Sequence, residues 1–177
     1  MQVYEGRPEN CEGRSEREIR TYDMLDSLGI KFLRTDHNRA RSMDELHSVD
    51  LTLDVMICKN LFLCNRQQTN FYLLMMPAAK AFKTKDLSPQ LGVSRLSFAK
   101  EEFMEEFLDL HPGSVSIMGL MNDHDNRVQL IIDEDVVSGE FVGCHPCENT
   151  TSLKMKTEDL LNKFLPAVNH NPIFVKL

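Results

Sequence analysis

Two apolar runs, Leu61-Phe62-Leu63 and Phe71 to Met76, stand on either side of a polar loop, Asn65 to Thr69. Short apolar runs bounded by turn residues pair as a β-hairpin. That hairpin commits the middle of the chain to a sheet that the remaining segments must cover. Just ahead of it, Leu53, Val55 and Ile57 alternate with Thr52, Asp54 and Met56, the period of a strand.

Helical signals are interleaved with the strands. Ser15-Glu16-Arg17-Glu18 has the form of a capping box, and Ile19, Tyr22, Leu25 and Leu28 follow at helical spacing until Gly29. Ser42-Met43-Asp44-Glu45 opens a second, short helix. Asp86 to Leu91 forms a third that stops at Gly92, and Lys100 to Leu110 a fourth that buries Phe103, Phe107 and Leu108 and ends at His111-Pro112-Gly113. Arg95 to Phe98, Val128 to Ile132 and Thr151 to Lys156 read as strands, with Leu153 and Met155 on one face of the last. Thr157 caps a final helix, Glu158 to Leu165, and Ile173-Phe174-Val175 closes the sheet. Such interleaving predicts one α/β domain with a mixed sheet, residues 15–177, behind a polar N-terminal segment, residues 1–14.

A chain of 177 residues suffices for one such domain, burying about 70% of its unfolded surface. No apolar run approaches the roughly 18 residues that span a bilayer, so no membrane partner is expected. The N-terminal residues are polar and charged, without the apolar core of a signal peptide. Five cysteines without regular spacing read as cytosolic thiols and a cytoplasmic protein. The net charge of −7 is unevenly spread. Residues 51–100 carry seven Lys and Arg against two acids, +5, whereas residues 101–150 carry one Arg against twelve acids, −11. That polarity suits either a basic face for a short length of RNA or ordinary solvated charge.

Three polar spots interrupt the apolar middle: Lys59-Asn60 at the hairpin start, Pro112 to Ser116, and Gly143-Cys144-His145-Pro146 with Asn149-Thr150. Gly119, Asn122 and Asp123 fall on an expected strand between the second and third. Buried strands rarely carry such groups unless a site is built there. These blocks, in this order from about Tyr22 to Leu165, resemble the free-standing prolyl-tRNA editing family of YbaK-type aminoacyl-tRNA deacylases. The resemblance implies a strongly curved mixed sheet flanked by helices.

It also implies roles. Lys59, which by itself reads as a surface lysine at a strand end, becomes the group facing the ester and terminal nucleotide. Gly113 belongs to the loop whose backbone contacts the reacting carbonyl, and His145 to the cavity that receives the aminoacyl end. Asn60, Ser114, Ser116, Gly119, Asn122, Asn149 and Thr150 are the accompanying substrate-binding residues. Ile117 stands where the family has a proline. The ester is already activated, so hydrolysis needs a placed water and hydrogen-bond donors more than a strong nucleophile.

Cys144 and Cys147 form a C-x-x-C, but no second ligand pair accompanies it, and a redox pair should open a helix after a strand. No cofactor and no metal are therefore expected. The function implied is trans-editing of mischarged tRNA, most closely alanine on the proline tRNA, with prolyl-tRNA synthetase as a further partner. A non-catalytic module that binds aminoacyl-tRNA or the synthetase is the alternative.

Overall fold

The computed structural model describes residues 1–39 and 43–177. The hairpin forms as expected: β3 (Cys58–Cys64) pairs antiparallel with β4 (Phe71–Pro77). All seven residues of β4 are buried, the mark of a central strand covered on both faces. β6 (Val128–Asp133) lies parallel to β4, and β9 (Ile173–Val175) parallel to β6. On the other edge, β5 (Ser97–Phe98) pairs with the end of β3. The resulting five-stranded sheet, β5-β3-β4-β6-β9, is the mixed sheet.

A second, antiparallel sheet was not foreseen as separate. Its order is β1-β2-β8-β7, with β1 at Val3–Glu5, β2 at Phe32–Asp36, β7 at Phe141–Cys144 and β8 at Thr151–Lys156. The polar N-terminal segment thus supplies an edge strand. The two sheets meet where Ile57 bridges to Gly143. A side chain at Gly143 would need space already held by the Ile57 side chain, at 2.6 Å, and the Met56 carbonyl oxygen, at 2.8 Å. The backbone carbonyl cannot yield without moving the strand. Gly143→Ala is expected to cost about 1–3 kcal/mol of stability, read as a lowered denaturant midpoint at unchanged m-value. An unaltered midpoint would show that the junction tolerates a methyl group.

Side-chain alternation on β4 separates two cores. Phe71, Leu73 and Met75 join Tyr22, Leu25, Phe107, Leu130, Leu153 and Phe164 in one large core shared by both sheets. Tyr72, Leu74 and Met76 face a smaller one with Leu63, Ile131 and Leu87 of α3 (Thr84–Leu91). Helix α1 (Glu16–Ser27) begins where the Ser15 hydroxyl accepts the Glu18 N–H at 3.2 Å. The Glu18 carboxylate turns inward instead of completing the capping box, taking hydrogen bonds from Tyr22 at 2.6 Å and Arg14 at 2.5 Å. Helix α4 (Glu101–Leu108) buries Met104, Phe107 and Leu108, while Phe103 is half-buried. The last helical stretch runs through Thr157–Asp159, a π-helical turn Leu160–Phe164 and Leu165–Ala167.

Two strand expectations are corrected. Residues 52–57 are not a strand: α2 (Met43–Leu53) runs into them, and Asp54 leaves it with φ +51°. Val49, Leu53 and Ile57 form a small core at a four-residue spacing, which a helix explains as well as alternation does. Ser42, read as the start of α2, lies outside the described residues. The segment around Gly119 and Asn122 is a 3₁₀ turn, Ile117–Asn122, not a strand. The Ser116 hydroxyl caps it by accepting the Met118 N–H at 3.2 Å.

Candidate active site

A pocket of about 240 Å³ opens where the two sheets meet the loop after α4. Its polar lining is Lys59 and Asn60 from β3, Gly113 from the loop, His145 and Asn149 from the β7–β8 connection, and His37 after β2. Ile57, Ala78 and Val115 contribute apolar wall. Five of the residues singled out from sequence therefore converge: Lys59, Asn60, Gly113, His145 and Asn149.

On β3, side chains alternate between the two cores. Lys59 shares its face with Leu61 and Leu63, and Asn60 shares the opposite face with Cys58 and Phe62. The Lys59 ammonium donates to the Lys80 carbonyl oxygen, leaving further N–H groups. Burial lowers its pKa from the ordinary lysine value. Asn60 is 9% exposed, and neither its amide nitrogen nor its amide oxygen has a partner among the described residues. A buried carboxamide with both ends open costs about 1–3 kcal/mol per unmet group. It is a donor and an acceptor held ready for a ligand.

Gly113 adopts φ +86°, a left-handed conformation that strains any other residue. Its carbonyl accepts the Asn149 Nδ2–H at 2.9 Å, fixing one loop against the other. The Asn149 amide oxygen is buried and has no partner among the described residues.

The His145 Nδ1 lies 2.9 Å from the Thr151 carbonyl oxygen, which can only accept, so Nδ1 carries the proton. Nε2 of the neutral ring is then a lone-pair acceptor. Burial lowers the His145 pKa below the ordinary histidine value; the bond to Thr151 opposes this and nearby His37 adds to it. His37 was missed from sequence because β2 was missed. Its Nε2 meets the Ser152 hydroxyl at 2.8 Å, its backbone N–H donates to the Thr150 carbonyl at 2.9 Å, and its ring centre lies 6.2 Å from that of His145.

Behind His145 stands a charged network. The Thr151 hydroxyl reaches Glu18 at 3.1 Å and Asp36 at 2.9 Å, and Arg14 bridges the same two carboxylates at 2.5 and 2.8 Å. Burial would raise the Asp36 pKa, but hydrogen bonds from Arg14, Thr151 and Arg34 outweigh it and hold the carboxyl at about 2. The residue whose carbonyl orients His145 is thereby fixed by hydrogen bonds to ion-paired carboxylates of α1 and β2.

The other sequence candidates do not line the pocket. The Ser116 hydroxyl donates to the His145 carbonyl at 2.5 Å, so it holds the loop from behind. The Asn122 amide donates to the Leu108 carbonyl at 2.9 Å and finishes α4. Gly119 is packed against Leu110, where a Cβ would approach within 2.6 Å. Ser114 is buried, Thr150 is exposed, and Ile117 is wholly buried in the large core. Asp123 accepts the Arg127 and Val128 N–H groups and pairs with buried His170 at 2.8 Å.

Cys58, Cys144 and Cys147 are buried free thiols, and burial pushes Cys58 and Cys147 up to about 12 and Cys144 higher still. Such thiols are poor nucleophiles. Among the described residues no three His, Cys, Asp or Glu side chains converge in a metal-binding group, and no helix is long and apolar enough to cross a membrane.

A pocket with a cation, open carboxamides and a neutral imidazole suits a small polar ester. The sequence matches the aminoacyl-tRNA editing domain over residues 37–163, and the chain belongs to that family. It is an aminoacyl-tRNA deacylase. The prolyl-tRNA editing protein ProX of Acetoanaerobium sticklandii is 30% identical over 136 residues, covering 77% of this chain and 83% of the relative. The prolyl-tRNA synthetase associated domain-containing protein 1 of Mus musculus is 30% identical over 155 residues, covering 85% and 90%. A crystal structure of a proposed trans-editing enzyme for prolyl-tRNA synthetase superposes with a TM-score of 0.67 at 16% identity, over 92% of this chain and 98% of the other, which shows the fold.

Proposed function

We propose that the chain acts in trans on mischarged proline tRNA, removing alanine by hydrolysis with a positioned water. The observation that carries this reading is the small pocket in which Asn60 presents an unmet donor and an unmet acceptor beside Lys59 and His145. Lys59 holds the ester or the adjoining phosphate, Asn60 donates to the ester carbonyl as negative charge develops, and Gly113 with Asn149 fixes the facing loop. The neutral His145 Nε2 accepts a proton from water or from the terminal ribose. The bond from Nδ1 to Thr151 supports this acceptor role. The names of the relatives point to proline tRNA and to an association with prolyl-tRNA synthetase. A substrate of translation supports a cytoplasmic place of work.

Alanine follows from a double sieve. A synthetase pocket shaped for proline cannot exclude a smaller residue, because a missing methylene is worth only about 1–3 kcal/mol. A second pocket walled by Ile57, Ala78 and Val115 can exclude the larger one. Overpacking by about 1–3 kcal/mol slows proline roughly 5- to 150-fold. A panel of aminoacylated tRNAs tests this: alanyl-tRNA for proline should disappear and correctly charged prolyl-tRNA should persist. Equal loss of both esters, or binding without turnover, would overturn the reading.

A further inference from the structure

Five arginines of the N-terminal third, Arg7, Arg14, Arg17, Arg20 and Arg34, hold carboxylates. Lys83, Lys85 and Arg95 form no ion pair among the described residues, and all three are exposed. They border one open concavity of about 570 Å³ beside the start of α3, together with Thr84, Ser88 and Pro89. Lys83 is the N-cap residue of α3 and makes no side-chain capping bond. The positive end of the helix thus adds to the same field. In a chain of net charge −7, three unpaired cations at one place make a local attraction for an anion.

An exposed aromatic ring lies next to them. Phe98, on the edge strand β5, is 64% exposed and packs edge-on against Phe82, with ring centres 6.0 Å apart. Cations would suit any polyanion or acidic protein; an exposed ring held on a rigid strand beside them suits a nucleic acid, whose bases stack while its phosphates pair.

The patch is also connected to the pocket. Ala78 lines the pocket, the Lys80 carbonyl takes the Lys59 ammonium, and the chain then passes through Phe82 to Lys83 and Lys85. Phe98 lies opposite Leu63, on the same face of β3 as Lys59 and four residues along, a span of about 13 Å. That is the reach of a few nucleotides.

Resting on the reading under Proposed function, we propose that this surface binds the RNA strand leading to the esterified adenosine. Lys83, Lys85 and Arg95 contact its phosphates, and Phe98 stacks on a base. The test compares wild type with the triple variant Lys83→Ala/Lys85→Ala/Arg95→Ala and with Phe98→Ala. Three measurements are made: KM for mischarged tRNA as a function of salt, affinity for uncharged tRNA, and hydrolysis of 3′-O-alanyl-adenosine, which carries no strand.

The triple variant should raise KM and weaken tRNA binding at least about tenfold at moderate salt, and flatten the log–log salt slope by about 2–3. Phe98→Ala should weaken binding roughly 5- to 150-fold. Both should cleave the alanyl-adenosine as wild type does. Unchanged tRNA affinity and salt slope would overturn the proposal. So would loss of binding to prolyl-tRNA synthetase with tRNA affinity intact, which would mark a protein-docking surface. Failure of wild type to cleave either ester would instead sink the deacylation reading, while the affinity for uncharged tRNA would still decide whether this surface binds RNA.

Discussion

Lys59→Ala is expected to lower the turnover of alanyl-tRNA by about two to three orders of magnitude, the usual effect of removing one donor aimed at developing charge. Among the described residues Lys59 is the only lysine or arginine lining the pocket, and burial lowers its pKa. The fold should survive. Lys59 is half-buried at the start of β3, and its one internal hydrogen bond, to the Lys80 carbonyl, is worth about 1 kcal/mol. Single-turnover deacylation measured beside a thermal melt separates the two effects. Lys59→Arg should not rescue, because a planar fork cannot reproduce a compact ammonium in this place. Wild-type turnover in the alanine variant would remove Lys59 from the mechanism.

His145→Ala should lower kcat by about 10²- to 10⁴-fold, the range of general acid–base groups. The pH dependence is the sharper readout. With Nδ1–H committed to Thr151, Nε2 accepts only while the ring is neutral. Protonation converts it to a donor, so activity should fall as pH is lowered through the His145 pKa. Burial places that pKa below the ordinary histidine value, so the acid limb of kcat/KM should have its midpoint under about 6.5. His145→Ala should lose that limb as well as the rate. An acid limb unchanged in the variant would assign it to another group.

Much of the five-stranded sheet was legible, because strong apolar periodicity marks β3, β4 and β6 and clear stops mark α3 and α4. The second sheet was not. β2 carries Arg34 in its middle, and a buried arginine reads as a surface residue. Its burial is made possible by an ion pair with Asp36, two residues along the strand, at 2.5 Å and by the Tyr4 ring of the neighbouring β1, 4.4 Å away, a contact that no local pattern shows. Losing β2 also lost His37.

Within the site, the opposite error occurred. Ser116, Asn122 and Gly119 are small or polar residues in apolar surroundings, the pattern of a binding site. They serve instead to tie loops to backbone and to let Leu110 approach. A buried polar group met by backbone and one left open for a ligand look alike in sequence. Asn60 and Ser116 are told apart only by whether a partner is in place.

The strand pairing described above also dictates an order of events in synthesis. β2 pairs with β8, Phe32 opposite Met155, so the sheet that carries His37 and His145 joins the first part of the chain to the last. Contacts between segments so distant in sequence form late and slowly. The β3–β4 hairpin, with Lys59 and Asn60, can form as soon as it leaves the ribosome; its opposite wall cannot. An unfinished chain therefore presents the lysine and the open carboxamide without the imidazole or the Gly113–Asn149 clasp. The proposed site is therefore complete only once β8 has been made, so a nascent chain should leave the charged tRNAs that feed its own translation uncut.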